Sequence, residues 1–426
     1  MIQIKNITPK LLNASILCIM AILCLRDIFD LDIGGAAITG VIAVLLIILP
    51  YPHLIYLLFF ILPLTCGIPG YVMLLSIIIL LLKSKHKTAL QIIPVLVISL
   101  VEIFHASFYD FNADLKGILS YLSFTAVFFF LLFDQNKTID RRICIKYFCL
   151  GAVFTLMIIY ADLILKNGFT EIITGNLRSG FAMGIDDVEE MKNHLALNAN
   201  SIAYYSIVSL GCLLLGRKKL QLSLPLYLLL TCAAIAAGVL SFSRTWLLLI
   251  AIISILFIIT NKLSNKFIAM ATIAIIVSFA IMSDSAFFSP ITENITNRIE
   301  NDNIATAGGR GTIFKEYNRF WSSDIKYMLF GTGAVYYKEV ARQSASMHNG
   351  IQQIYVCYGV CGIILYITVI LIFIRKYRQK GLPLLYYLPI IACFLFDQSI
   401  QFLNPYYLML PFIPAAYALR IENPEI

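Results

Sequence analysis

Ser346-Met347-His348-Asn349-Gly350-Ile351-Gln352-Gln353 stands where a polar run of roughly 65 residues, Ser283 to Met347, gives way to an apolar helix carrying Gly359 and Gly362. Outward from this boundary, in both directions, nearly all of the chain is hydrophobic enough to sit in lipid. A protein of 426 residues that is 60% hydrophobic and 13% charged, with a mean hydropathy of +0.86, has more apolar surface than one soluble core can hide. Lipid offers the backbone no hydrogen-bond partners, so apolar runs of about 15 to 20 residues must pair their own N–H and C=O groups as helices. The runs do not alternate apolar with polar residues, which excludes a β-barrel. The expected fold is an all-α polytopic membrane protein, and the polar run is where water-facing chemistry has room.

Apolar runs fall near residues 11–25, 36–50, 54–66, 71–82, 89–108, 118–133, 147–165, 200–215, 224–240, 246–260, 267–282, 351–374, 384–395 and 407–419. The third and fourth are short enough for a re-entrant pair around Cys66-Gly67-Ile68-Pro69-Gly70, so twelve to fourteen transmembrane helices are expected. Basic residues cluster between runs, at Lys83-Lys85-Lys87, Arg141-Arg142-Lys146, Arg217-Lys218-Lys219, Lys262 with Lys266, and Arg375-Lys376-Arg378-Lys380. Such clusters mark cytoplasmic loops. By contrast, Arg26-Asp27-Ile28-Phe29-Asp30-Leu31-Asp32 is acidic, and Ser283 to Met347 holds seven Lys/Arg and seven Asp/Glu, so both belong outside. With all fourteen runs crossing, every basic cluster lies inside and both termini are cytoplasmic. The net charge of +8 is therefore a topology signal rather than a nucleic-acid footprint. The first run has no small-residue cleavage site and is expected to be a span, not a signal peptide.

This reading divides the chain into N-terminal transmembrane helices (1–165), a first long outer loop (166–199), central transmembrane helices (200–282), a large, partly helical outer loop (283–347) and C-terminal transmembrane helices (348–426). Loops of this length in a membrane protein are functional or disordered. The first includes Gly175-Asn176-Leu177-Arg178-Ser179-Gly180, an acidic patch from Asp186 to Glu190, and Asn198-Ala199-Asn200 at the next helix mouth. In the second, Phe314, Tyr317, Phe320 and Trp321 keep helical spacing, which predicts an amphipathic helix on the outer leaflet. No internal repeat marks the symmetric halves of a transporter.

Four cationic or titratable side chains can carry chemistry. Arg244, in Ser241-Phe242-Ser243-Arg244, sits between two apolar runs, where an arginine costs about 2.5 to 3.5 kcal/mol at mid-membrane and less near the interface. It is either a snorkelling interfacial residue or a two-pronged ligand for a lipid phosphate. His348, with Asn349 beside it, is either structural at a helix mouth or a base whose solution pKa suits a sugar hydroxyl. Arg310 has glycines on both sides that let backbone approach a ligand, and Arg178 has a similar standing; a surface loop arginine is the plain alternative for each.

Other constellations are missing. No Walker loop or dinucleotide fingerprint is present, and the outer loop lacks the histidines of a zinc site and the spacing of a calcium loop. Asn294-Ile295-Thr296 is a chance glycosylation match. The ten cysteines lie in or near apolar runs as small buried thiols, and Cys357 and Cys361, one turn apart, have no ligand cluster beside them. Glu102, Asp162 and Asp397 lie near the ends of apolar runs, and no buried proton relay is expected.

His348-Asn349 followed by Gly359-Val360-Cys361-Gly362 resembles the signature of bacterial O-antigen polymerases and O-antigen ligases. Ser241 to Arg244, Gly309 to Gly311, Phe330-Gly331-Thr332-Gly333 and Asn198-Ala199-Asn200 look like further pieces of that pattern in the same order, over roughly residues 175 to 375. The resemblance implies a metal-independent glycosyltransferase with a GT-C-like fold and no cofactor, in the bacterial inner membrane with its active site facing the periplasm. It implies a glycan on undecaprenyl diphosphate as donor, a lipid-linked sugar as acceptor, the lipid bilayer and a chain-length regulator as partners, and no nucleic acid. His348 would deprotonate the acceptor hydroxyl; Arg244, Arg310 and Arg178 would neutralise the leaving diphosphate, with Asn349 in the substrate site. The style of Gly309-Arg310-Gly311, Leu329 to Gly333 and His348 to Gln353 is more similar to polymerases than to ligases, and ligation to lipid A core is the alternative. The competing class is a flippase for the same lipid-linked sugars, which would not need His348.

Overall fold

The computed structural model describes residues 2–84, 88–108, 115–175, 177, 182–185, 194–260, 310–343, 347, 349–377, 412–418 and 421. Among them the protein is helical, with one isolated bridge, Ala182 to Ile185, and no strand. We number the helices α1 (Ile2–Asp27), α2 (Gly35–Ile48), α3 (Tyr51–Ile61, extended by a 3-10 turn, Leu62–Cys66), α4 (Tyr71–Lys83), α5 (Ala89–Phe108), α6 (Leu115–Leu132), α7 (Arg141–Asn167) and α8 (Phe169–Ile173). There follow α9 (Ala199–Leu213), α10 (Leu224–Leu240), α11 (Arg244–Thr260), α12 (Arg310–Trp321), α13 (Ile325–Phe330), α14 (Tyr337–Ala341) and α15 (Gly350–Tyr377). Polar caps and prolines set where several begin. Asp140 accepts from the Arg142 N–H at 2.9 Å to start α7, Asn198 accepts from Ser201 at 2.9 Å to start α9, and α3 and α10 open with proline in the first turn.

The expected span count is met in part. Two described helices, Pro9–Asp27 and Arg141–Asn167, are long and apolar enough to cross a bilayer unaided, and nine further apolar helices have 10–17 residues. Breakers shorten them, as at Leu49-Pro50 after α2 and Gly67 to Gly70 before α4. The runs at 267–282 and 384–395 lie outside the described residues.

The helices form two compact units. The first comprises Met1–Ser84, Lys137–Asn301 and Leu382–Ile390, and so holds α1 to α4 and α7 to α11. In it, α2 starts against Pro69, and its last carbonyls, Leu46, Ile47 and Leu49, accept from Lys83 at the end of α4. Helices α2 and α4 are therefore parallel, and α3 is the return pass. The ammonium of Lys83 caps a negative helix end. A Cβ on Gly151 would fall onto the Phe60 carbonyl, so α7 and α3 touch backbone to backbone, a contact open only to the smallest residue. At the 3-10 turn the Pro63 carbonyl accepts from the Tyr205 hydroxyl at 2.8 Å, which ties α9 to the end of α3. At the end of α1, Arg26 and Asp27 pair through two hydrogen bonds of 2.6 and 2.9 Å, both side chains buried, while Arg26 also donates to the Gly67 carbonyl at 2.7 Å. Asp162 pairs with Lys166 one turn on, at 3.0 Å.

The second unit comprises Lys85–Asn136, Asp302–Gly381 and Ile391–Ile426, with α5, α6 and α12 to α15. Gln91 joins α5 to α6, donating to the Phe130 carbonyl at 3.0 Å. The amphipathic helix expected around Phe314 to Trp321 is present as α12, with Tyr317 fully buried and Phe314 partly exposed.

Candidate active site

In the first unit, Arg244 is the first residue of α11 and follows a tight turn in which Phe242 takes a left-handed φ of 49°. Ser241 Oγ donates to the Gly238 carbonyl at 2.6 Å, tying the turn to α10. Ser243 Oγ donates to Asn200 Oδ1 at 3.3 Å, and Trp246 Nε1 donates to Ser206 Oγ at 2.7 Å. Contacts that advance together along both chains make α9 and α11 parallel, with their N-termini side by side. The Ser-x-Ser-Arg piece and the Asn198-Ala199-Asn200 piece, 43 residues apart at their contact, thus meet in space. Two helix N-termini pointing the same way favour an anion there.

The second unit repeats this arrangement. Gln352, in the first turn of α15, donates through Nε2 to the Phe314 carbonyl at 2.8 Å and to Asn318 Oδ1 at 3.0 Å. One turn further, Tyr355 hydrogen-bonds Asn318 and its ring lies 5.0 Å from that of Trp321. Helices α12 and α15 are therefore parallel as well, and Arg310 and Asn349 begin them at the same end. Tyr317 faces Tyr337 at 5.9 Å between ring centres, and burial pushes its phenol up, so it stays a neutral packing group. Asn349 is occupied as a cap: its Oδ1 accepts from the Gln352 N–H at 2.9 Å.

The glycine motifs meet in the same unit. Gly359 has φ 61° and ψ −158°, a break within α15 that ends the regular ladder just beyond Val356 and Cys357. The turn after α13 supplies the replacement donors: Thr332 N–H bonds to Val356 O at 3.1 Å and Gly333 N–H to Cys357 O at 2.7 Å. Gly331 and Gly333 have φ of 74° and 80°. A Cβ on Gly331 would enter the Cys357 backbone, and one on Gly359 would enter the Leu329 backbone, so the pieces require glycine for mutual approach. Beneath this junction, Glu102 on α5 is 3% exposed and its Oε1 accepts from Ala334 N–H at 2.8 Å and Tyr358 OH at 2.8 Å. His105 Nε2 lies 3.1 Å from the Gly331 carbonyl. Beside it opens an apolar cavity of about 440 Å³ lined by Val97, Val101, Phe104, Phe330, Tyr358 and Leu365.

Of the expected site residues, Arg178 and His348 lie outside the described residues, and so do the side chains of Arg244 and Arg310. Sequence reasoning gave no role to Glu102, His105, Gln352 or Asn318, although it noted Glu102 among the acids of the apolar runs. For the first two the signal was available: two ionisable groups three apart inside the apolar run Val101-Glu102-Ile103-Phe104-His105. Glu102 lies near the C-terminal end of the apolar helix Ala89–His105, as expected.

Residues 228–367, about a third of the chain, match the family described as O-antigen ligase. The matched segment contains the pieces at 241–244, 309–311, 330–333 and 348–362, while Arg178 and Asn198 to Asn200 precede it. No curated protein and no solved structure matches the chain.

Proposed function

We propose, for a chain that carries an O-antigen ligase family domain over residues 228–367, that it is the polymerase member of this ligase and polymerase class. It would transfer a growing surface glycan from undecaprenyl diphosphate onto a lipid-linked repeat unit, at the periplasmic face of the inner membrane, with a GT-C-like fold and no metal. The observation that carries this reading is the ordered set of motif pieces in the matched segment, from Ser241-Phe242-Ser243-Arg244 to His348-Asn349 and Gly359-Val360-Cys361-Gly362.

In this mechanism His348 accepts the proton of the acceptor hydroxyl as its oxygen attacks the anomeric carbon, and the bond from that carbon to the diphosphate breaks. Arg244 and Arg310, with Arg178, meet the charge that develops on the departing diphosphate, the moment at which fixed cations lower the barrier most. The start of α11 at Arg244 and the start of α12 at Arg310 support this assignment, because each adds a positive helix end to the arginine's own charge. The apolar cavity in the second unit offers a hydrocarbon chain a surface that water disfavours, which suits lipid-linked substrates.

Lipopolysaccharide from a strain lacking this gene, run as a gel ladder, tests the proposal. Core bearing a single repeat unit is the expected result. Bare core, with long polymer accumulating on undecaprenyl diphosphate, would make the chain a ligase instead.

A further inference from the structure

Glu102 and His105 sit three residues apart on α5 and grip the two ends of one turn. The carboxylate takes the Ala334 N–H and the imidazole faces the Gly331 carbonyl, across sequence separations of 232 and 226 residues. The Val335 N–H also faces the carboxylate. Tyr358, whose hydroxyl donates to the same Oε1, is the residue before the break at Gly359, and Tyr121 on α6 hydrogen-bonds that hydroxyl in turn. The turn and α15 at its break thus converge on one buried oxygen of α5, and α6 joins them through the Tyr358 hydroxyl.

A carboxylate at this depth is costly unless its acceptors are filled, and here protein donors fill them. We infer that Glu102 and His105 are positioning residues, which clamp the 331–334 turn to α15 and so set the direction of its first half, the half that begins at Asn349 beside His348. The inference rests on the reading of His348 as the base, and its effect on turnover follows from geometry. If the clamp opens, the turn N–H groups leave Val356 O and Cys357 O, the break at Gly359 is no longer held, and the start of α15 swings. Misplacement of a reacting group by about 1 Å costs on the order of a hundredfold in rate.

The clamp works by reach, not by charge, and substitutions separate the two. Glu102→Gln keeps the oxygen that Ala334 and Tyr358 share but cannot ionise; Glu102→Asp stays ionisable but is one methylene short. In purified full-length protein with lipid-linked repeat units, we expect Glu102→Ala and Glu102→Asp to lower kcat by about tenfold to a hundredfold with KM little changed. Glu102→Gln should recover most of that loss. A second readout needs no activity: Cys357 is 1% exposed beneath the turn, so N-ethylmaleimide labelling of its thiol, read by mass spectrometry, should rise in the Ala and Asp variants and fall back in Gln.

A Gln variant as slow as Ala, or Cys357 labelling that stays at the wild-type level when Glu102 is Ala, would overturn the clamp. If the Ala variant fails to reach the membrane, Tyr358→Phe, which removes one donor only, gives the same two readouts on a folded chain. Labelling that follows the expected order in a protein with no glycan extension would leave the clamp standing and sink the polymerase reading instead.

Discussion

Asn349 shows how a side chain can stand inside a proposed catalytic motif and serve the backbone. Its Oδ1 caps α15, and Gln352 at the third position of that helix turns outward to hold α12. Asn349→Asp and Asn349→Ser keep a cap, so glycan extension should persist in both. Asn349→Ala should cost about 1 kcal/mol of stability, seen as a lower midpoint in thermal unfolding. Loss of extension in the Asp variant with an unchanged midpoint would instead place Asn349 on the sugar. Gly331→Ala and Gly359→Ala should each cost about 1 to 3 kcal/mol, because each needs a left-handed φ and each would push a methyl into backbone. Arg244→Lys should lose most extension activity although the charge survives, since an ammonium cannot hold two phosphate oxygens in one plane; wild-type polymer length in that variant would show that charge alone suffices. From the sequence Asn349 reads only as a substrate-site residue, and its capping bond comes from the structure, whereas the glycines were legible as a motif. What the glycines touch was not, because the partner backbones at Cys357 and Leu329 lie across the fold.

The helices themselves were legible because lipid and amphipathic spacing both act locally. Phe314, Tyr317, Phe320 and Trp321 announced α12 from periodicity alone. Pairing and direction were hidden, since they depend on small residues and buried polar hooks that carry no period. Gly151 against Phe60, and Gln352 against Phe314 and Asn318, are examples. Gln352→Leu removes both hooks and leaves the Asn318 acceptor with one donor fewer, at a cost of about 1 to 3 kcal/mol. We expect α12 to detach before the rest of the unit melts. Trypsin cleavage at Lys315 and Arg319 should then quicken while cleavage elsewhere keeps its rate; uniform acceleration would mean global loss of fold.

At the scale of the molecule, composition divides the chain into consecutive blocks, whereas the two compact units interleave. Residues 85–136 belong with 302–381 and not with their neighbours in sequence. Hydropathy orders spans along the chain but holds no record of which bundle each joins. The topology remains testable by reporter fusion: a periplasm-dependent reporter should be active when placed at Ser323 and silent at Lys218, and the reverse pattern would invert the proposed orientation. Interleaving also has a consequence for biosynthesis. Glu102 leaves the ribosome 232 residues ahead of Ala334 and 256 ahead of Tyr358. At about 5 to 20 residues per second, α5 waits on the order of tens of seconds with an acidic side chain that has none of its final donors. A nascent chain halted before α13 therefore presents an unanchored acid to the insertion machinery, and quality-control proteases have a feature by which to tell the half-made protein from the finished one.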